Sequence, residues 1–502
     1  MGRKRNRNRG RAQAHDGSIA SGRRGNSQGS KRARYPLPEL PEEIWHHIHS
    51  LVPTRDAARA AFVSHAFQHS WRCRPNLTFT VKTMCSKENL RKWIESSKDK
   101  RYRREYNKNV DHILANHTGA GVKKLQLQFH GPCTTKSYNR LNSWLQIAVT
   151  PGIKKLDLSL KPDKSKYDFP CSLLSGRSGN TIRYLSLDRC ALHPTVNLDL
   201  RCLTKLKLYE VHITGDELGF LLSNSFALKK LLLMDCSDII RLEIPCQLQR
   251  LSFLEVYECS RLQLIKIKAP NMHRFEFTGV KRQVSLGESL QVKNLCLTHR
   301  CAISYAIDKL VSSVPNLETL TLRSLSEIVN APNVASKFLH LKVLSIYILN
   351  WSWAWEYDCL SLVSFLDASP SLESFVLSVS VYLNYNLFVG DPSTLRQITE
   401  HHHDRLKDVK ITGFCPQKSL IELTCHILES ATSLKCLTLD TIDVNLRRCS
   451  DNEPDMKCPS LYKADTKKVH ESLMAIKTYI ECKVPSTVQL EVLEPCSRCH
   501  AL

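Results

Sequence analysis

The chain repeats itself. The pattern apolar-x-x-apolar-x-apolar recurs as VKKLQL (122–127), IKKLDL (153–158), IRYLSL (182–187), LTKLKL (203–208) and LKKLLL (228–233). It returns as LETLTL (317–322), LKVLSI (341–346), LESFVL (372–377), LKDVKI (406–411) and LKCLTL (434–439). Any one match is weak, because apolar residues at three loose positions arise often by chance. The intervals carry the information. From Leu125 through Leu156, Leu185 and Leu206 to Leu231 the middle apolar residues step by 31, 29, 21 and 25. From Phe275 through Leu295, Leu320 and Leu344 to Phe375 they step by 20, 25, 24 and 31. A unit of this size cannot bury its apolar face alone, so neighbouring units must stack into one continuous core.

The intervals cluster around the roughly 20–29 residues of leucine-rich repeats. Each repeat then contributes a short parallel strand, with its two flanking apolar residues in the core and the residue between them facing out on the concave side. Cys190, Cys236 and Cys259 fall three places after the last strand residue, where a small side chain satisfies backbone groups of the turn. They read as inert structural thiols. Between 239 and 277 the register tightens: IIRLEI, LSFLEV, LQLIKI and MHRFEF put Leu242, Leu254, Ile265 and Phe275 only 10–12 residues apart. Two strands per turn explain this, with extended chain replacing the convex-side helix. A closed sandwich is the alternative, but two-residue hairpin signals are absent.

The ends of the chain differ from the array. Net charge is +23, and residues 1–34 alone hold eleven Lys/Arg against Asp16. That segment has almost nothing apolar to bury and is expected to be disordered. Its clusters Arg3–Arg11 and Arg23–Arg34 suit nuclear import, placing the protein in the nucleus or the cytoplasm. No apolar h-region stands in the first 34 residues, and no run approaches the ~18 apolar residues of a membrane span, so no membrane partner is expected. With no export signal, the 20 cysteines read as reduced thiols.

At 37–72 the composition changes to LPELPEEIWHHIHSLVPTRDAARAAFVSHAFQHSW and its flanks. Pro41 fits a first helical position, with Glu42 and Glu43 at the positive end of the helix dipole. Ile44, Ile48, Leu51 and Val52 share one face, Pro53 ends that helix, and Thr54 opens a second whose Ala58, Ala61 and Phe62 are inward. Val63, Phe67 and Trp71 repeat at i+4 and i+8 in a third segment. Some 35 residues seldom make a core that stands alone, so this piece docks onto something. Leu40-Pro41, Ile44, Ile48, Leu51, the Pro53-x-x-Asp56 corner, Val63-Ser64, Phe67 and Trp71 resemble an F-box, with Ser64-His65 where the usual motif has Cys-Lys or Ser-Lys. An F-box attaches substrate receptors to a Skp-family adaptor in cullin-based ubiquitin ligases.

Segments 106–125, 267–277 and 406–440, with the C-terminal helix and strand, extend the likeness over about 36–502. They are similar to plant F-box/leucine-rich-repeat proteins of the FBD-like class, especially grass members. The resemblance implies an α/β fold: a three-helix F-box (36–80) after a basic tail (1–35), then a basic helical linker (81–120). A parallel-strand solenoid (121–445) and a C-terminal helix-strand cap (446–502) follow.

It implies a non-catalytic receptor that presents an unknown protein target for ubiquitination. Leu40, Pro41, Ile44, Ile48, Leu51, Val63, Phe67 and Trp71 would serve adaptor binding, through which a cullin is recruited. Lys207, Glu243, Glu255, Lys266, Glu276 and Lys410, middle residues of strands, are the expected target surface. Their mixed signs speak against nucleic acid. A scaffold without a degradation role, or a receptor needing a small-molecule co-ligand near Trp351, Trp353 and Trp355, are the alternatives.

Other motifs are weaker. CSRCH (496–500) spells a haem-attachment sequence and offers half a zinc site, but reads as an unbonded tail with no cofactor. His401-His402-His403-Asp404 reads as a solvated loop. KDKRYRREYNK (98–108) reads as a solvated charged helix despite its interleaved Tyr102 and Tyr106. Phosphate loops, nucleophile elbows and HExxH are absent from the sequence.

Overall fold

The computed structural model describes residues 41–52, 54–60, 71–85, 100–118, 121–130, 134–161, 167–194, 198–280, 283–285, 291–327, 337–350, 357–381, 387–398, 402–443, 458–461 and 463–496. Its strands in chain order are β1 (Asn76–Phe79), β2 (Lys124–Phe129), β3 (Lys155–Leu160), β4 (Tyr184–Asp188), β5 (Lys205–Tyr209) and β6 (Lys230–Met234). Next come β7 (Arg241–Ile244), β8 (Phe253–Tyr257), β9 (Leu264–Ile267), β10 (Arg274–Thr278), β11 (Gln283–Ser285) and β12 (Asn294–His299). The last are β13 (Thr319–Ser324), β14 (Val343–Asn350), β15 (Ser374–Val381), β16 (Asp408–Thr412), β17 (Cys436–Asp440) and β18 (Gln489–Leu493).

Fifteen of them form one sheet in chain order, every neighbouring pair parallel, while β11, β9 and β7 form a second sheet of three. This is the α/β solenoid that the periodicity predicts. Burial alternates along the strands: Leu125, Leu127 and Phe129 of β2 are buried and Lys124, Gln126 and Gln128 are not. The repeated leucines join one core running from Ala57 to Ile480. Each such side chain removed from water contributes about 1.5–3 kcal/mol before chain entropy is counted.

Between 239 and 285 two strands occupy each turn, as the tightened register predicts. β8 and β10 continue the large sheet, and β7 and β9 pair separately with Leu242 opposite Ile265. The small sheet takes over from the helix Gly215–Ser223, where a Cβ on Gly215 would stand 2.1 Å from the Arg241 carbonyl oxygen. The large sheet also reaches beyond 121–445. β1 pairs with β2 from within the F-box segment, and β18 pairs with β17 from within the C-terminal cap.

From β2 to β17 of the large sheet, the residue before a strand donates its N–H to the carbonyl of its counterpart one turn earlier. Lys154 reaches Lys123 at 2.8 Å, Arg183 reaches Lys154 at 2.8 Å, and Lys229 reaches Thr204 at 2.9 Å. At the other end Arg189, Glu210, Asp235 and Glu258 follow β4, β5, β6 and β8 with φ of 59°, 48°, 52° and 49°. That left-handed turn aims each N–H at the last residue of the next strand, as from Glu210 to Met234 at 2.8 Å. It also turns the next side chain inward. Cys190 and Cys236 are fully buried there, and the Cys236 thiol lies 3.7 Å from the Leu208 carbonyl oxygen. Burial pushes the Cys190 thiol far above its ordinary value, as an inert structural role requires.

Toward the C-terminal end Arg396 clamps two elements. Its guanidinium donates to Asp358 (Nη1 to Oδ2, 2.7 Å) and to Glu422 of the helix Lys418–Ser430 (Nε to Oε2, 2.8 Å; Nη2 to Oε2, 2.6 Å). The Glu422 side chain is wholly buried. Hydrogen bonds from Arg396 hold Asp358 below its ordinary range. Arg396→Ala strands Glu422 without its counter-charge and is expected to cost about 3 kcal/mol in urea unfolding. A depressed carboxylate contributes stability above its unfolded pKa and loses it as pH falls through its folded pKa. Wild-type stability should therefore fall on acidification below the ordinary Asp range, and more steeply than that of Arg396→Ala.

Candidate functional site

The first helix, Glu42–Leu51, starts after Pro41, whose carbonyl accepts the Ile44 N–H at 3.0 Å. Its apolar stripe is split. Val52 and Ala58 pack on the core and Ala57 is buried, but Ile44 is 44% and Leu51 72% exposed, with Ile48 half-buried. Pro41 is exposed beside them. Trp71 is buried (5% exposed) in the common core, which sets it apart from this face as a residue that holds the module together. Leu40, Val63 and Phe67 lie outside the described residues.

A buried arginine makes the joint. Arg74 donates from Nη2 to the Val52 carbonyl oxygen (2.6 Å) and from Nε to that of Asn76 (3.0 Å), so one side chain ties the end of the first helix to β1. Burial lowers its pKa. His117 Nε2 stands 2.9 Å from the Arg74 carbonyl oxygen, and the Thr118 N–H donates to Arg72 at 3.0 Å. Both follow the helix Lys100–Ala115. That helix is not simply solvated, contrary to expectation. Tyr106 is fully buried, with its hydroxyl 2.7 Å from the carbonyl oxygens of both Phe79 and Gln128 at the ends of β1 and β2.

The six expected target-surface residues do not share a face. Lys207, Glu255, Glu276 and Lys410 lie on β5, β8, β10 and β16 of the large sheet. Glu243 and Lys266 lie on β7 and β9 of the small sheet, opposite one another and 3.6 Å apart as an ion pair. They leave the candidate surface, because in the tightened segment alternate strands join the other sheet. Glu255 and Glu276 are register partners, and burial followed by the Glu276 charge raises the Glu255 pKa. Lys410 stands five strand steps from Glu276, about 24 Å along the sheet.

His403 also departs from expectation. It is buried, with Nε2 3.3 Å from Nε2 of buried His426 and 3.9 Å from Asp367, while His402 is exposed. The partner is 23 residues away in sequence, so the local HHHD run could not reveal it. His403 borders a cleft of about 650 Å³ that His402, Lys337 and Arg405 also line. His401, Trp351, Trp353, Trp355, Cys499 and His500 lie outside the described residues. Among the described residues no helix is long and apolar enough to cross a membrane.

A model of the At1g61320/AtMIF1 leucine-rich-repeat domain matches residues 113–497, and an F-box domain model matches residues 37–78. The chain belongs to the plant F-box/leucine-rich-repeat family, in its FBD-like class. The F-box/LRR-repeat protein At3g03360 of Arabidopsis thaliana is 23% identical over 76% of this chain and 82% of its own length. The F-box/FBD/LRR-repeat protein At3g26920 of the same plant is 23% identical over 82% and 90%. A leucine-rich-repeat protein of Leptospira interrogans superposes with a TM-score of 0.31 at 16% identity, over 67% of this chain and 86% of that one. The fold rests on the strand pairing, to which a superposition at that score adds nothing.

For this F-box/leucine-rich-repeat protein the Arg74 joint is open to test. Arg74→Ala removes charge-assisted bonds to Val52 and Asn76 and is expected to cost about 2 kcal/mol, read from the urea midpoint. Arg74→Lys should recover only part, since an ammonium cannot span both carbonyls in the guanidinium's fixed geometry.

Proposed function

We propose that this protein is the substrate-receptor subunit of an SCF-type (Skp–cullin–F-box) ubiquitin ligase. Its F-box binds a Skp-family adaptor, and through it a cullin, while the outward face of the large sheet binds a protein target. Ubiquitin transfer to a target lysine is done by partners, and this chain contributes proximity and orientation. The observation that carries the reading is the uncovered apolar face of the helix Glu42–Leu51. A module too small to bury that face is bolted to the array through Arg74 with Ile44 and Leu51 turned outward. Exposed apolar side chains on a helix are what a partner's groove takes up. In the same reading the basic segment 1–34 directs the receptor to the nucleus.

Ile44→Asp/Leu51→Asp tests it, since both side chains are largely exposed and their loss leaves the core intact. The full-length protein should capture a plant Skp-family adaptor and cullin, and the double variant should lose capture while keeping its melting temperature. Failure of the folded wild-type protein across several adaptor paralogues would sink the receptor reading.

A further inference from the structure

The solenoid supplies its own comparison, because one repeat position becomes one row of neighbouring side chains. The residue before each strand is the clearest case, each being hydrogen-bonded to the next through the backbone. From β12 to β16 that row reads Lys293, Glu318, Lys342, Glu373, Lys407, alternating in sign, before Lys435 precedes β17. Its members pair: Lys293 Nζ is 2.7 Å from Glu318 and Lys407 Nζ is 2.8 Å from Glu373. Hydrogen bonds from these lysines hold both glutamates below their ordinary range.

In the first half the row reads Lys123, Lys154, Arg183, Thr204, Lys229. Just inside it lies a second row on β2 to β6, where Lys124, Lys155, Tyr184, Lys205 and Lys230 stand in register. Among the described residues none of these eight cations lies within ion-pairing distance of a carboxylate. Tyr184 is the aromatic in the row, with the Lys155 and Lys205 ammonium groups 4.4 and 5.5 Å from its ring centre. Like charges facing each other on adjacent strands are destabilising. The chain alternates signs at this position from β12 to β16 and stacks one sign from β2 to β6, a cost that an anionic ligand would offset.

The far end of these strands is net acidic, with Arg189 after β4 ion-paired to Asp188 and Glu210. Asp188 ends β4, and Glu210, Asp235 and Glu258 follow β5, β6 and β8, about 16 Å from the basic rows. A nucleic-acid duplex, charged all round, would set phosphates against that acidic edge. A single strand needs an aromatic platform for each base, and this row offers Tyr184 alone on β2 to β6, with Phe253 of β8 next in register. An extended polypeptide fits. Four strand spacings cover about 19 Å, the reach of about six extended residues.

We propose that the N-terminal edge of β2–β6 is a docking strip for an acidic stretch of polypeptide, its negative charge supplied by Asp/Glu or by phosphorylated side chains. The proposal rests on reading the array as the target-binding part of the receptor, and it names the class of target.

The test is fluorescence anisotropy on the full-length chain with a labelled serine-containing peptide in three forms: unmodified, phosphoserine, and glutamate in place of serine. A thymidine oligonucleotide is the fourth probe. The phosphoserine or the glutamate form should bind, and which one does identifies the source of the charge. Lys124→Glu/Lys155→Glu/Lys205→Glu should weaken that binding by about tenfold or more and flatten its salt dependence. Lys342→Glu/Lys435→Glu/Lys477→Glu, equal in charge but outside the strip, should not. The neutral triple Lys124→Gln/Lys155→Gln/Lys205→Gln, expected to weaken binding less, replaces the reversal if that fails to fold.

The proposal is overturned if no acidic peptide binds better than the unmodified one, or if the two charge-reversed triples behave alike. It also falls if the oligonucleotide binds more tightly than the peptides through the same lysines. Adaptor capture on the same preparations separates the two readings. Capture retained by the strip variant that has lost the peptide supports both. Peptide binding by a wild-type chain that captures no adaptor removes the receptor role and leaves the acidic-peptide strip standing.

Discussion

Every surface of this molecule depends on a parallel backbone ladder. From β2 to β17 of the large sheet the residue before a strand donates to its counterpart one turn earlier, and the residue after several strands donates to the last residue of the next. Between those fixed ends the side-chain period of two sends leucines inward and polar residues outward. A repeat position thereby becomes a continuous strip about 4.8 Å per step. A strip can be rewritten in charge without disturbing the leucines beneath it, so core and recognition are decided by different letters of the same six-residue pattern.

The ladder also explains how so small a helical module holds its place. Its helices have too few buried side chains to fold independently. β1 extends the large sheet by one strand, and Arg74 connects the carbonyl that ends the first helix to the backbone of that strand. His117 and Thr118 close the joint from the other side, and Tyr106 covers the ends of β1 and β2. The module is thus a continuation of the array, and among its described residues Ile44 and Leu51 face outward.

Periodicity made most of this legible. The inward leucines, the parallel strands, the buried cysteines and the doubled strands of 239–277 all follow from spacing, because burial repeats with the backbone. Spacing gives the phase of a strand but not the sheet it joins, which is why Glu243 and Lys266 looked equivalent to Glu255 and Glu276. β1 has only Leu77 and Phe79 to announce it, too short a run to be distinguished from loop. Burial of His403 depends on His426, placed by a helix formed elsewhere in the chain. The expectation of mixed charge came from the middle row of each strand. The one-signed rows lie at its first residue and the residue before, and their meaning emerges only when neighbouring turns are set side by side.

The left-handed residues at the far end show how strictly the ladder constrains the chain. A non-glycine residue in that conformation costs about 1 kcal/mol. After β10 the chain uses Gly279, with φ of 147°, yet after β5, β6 and β8 it uses Glu210, Asp235 and Glu258. Glycine would satisfy the hydrogen bond with less strain, so the geometry alone does not select these carboxylates. Burial, then the neighbouring Glu210 charge, raises the Asp235 pKa, while Arg189 acts the other way. Backbone strain and a net negative charge, relieved in part by Arg189, are therefore borne along one edge of the same strands whose other edge bears lysines with no carboxylate within ion-pairing distance among the described residues. Among the described residues the acidic edge includes the ion-paired Arg189, the basic rows have no carboxylate within ion-pairing distance, and the rim from β12 to β16 alternates its signs.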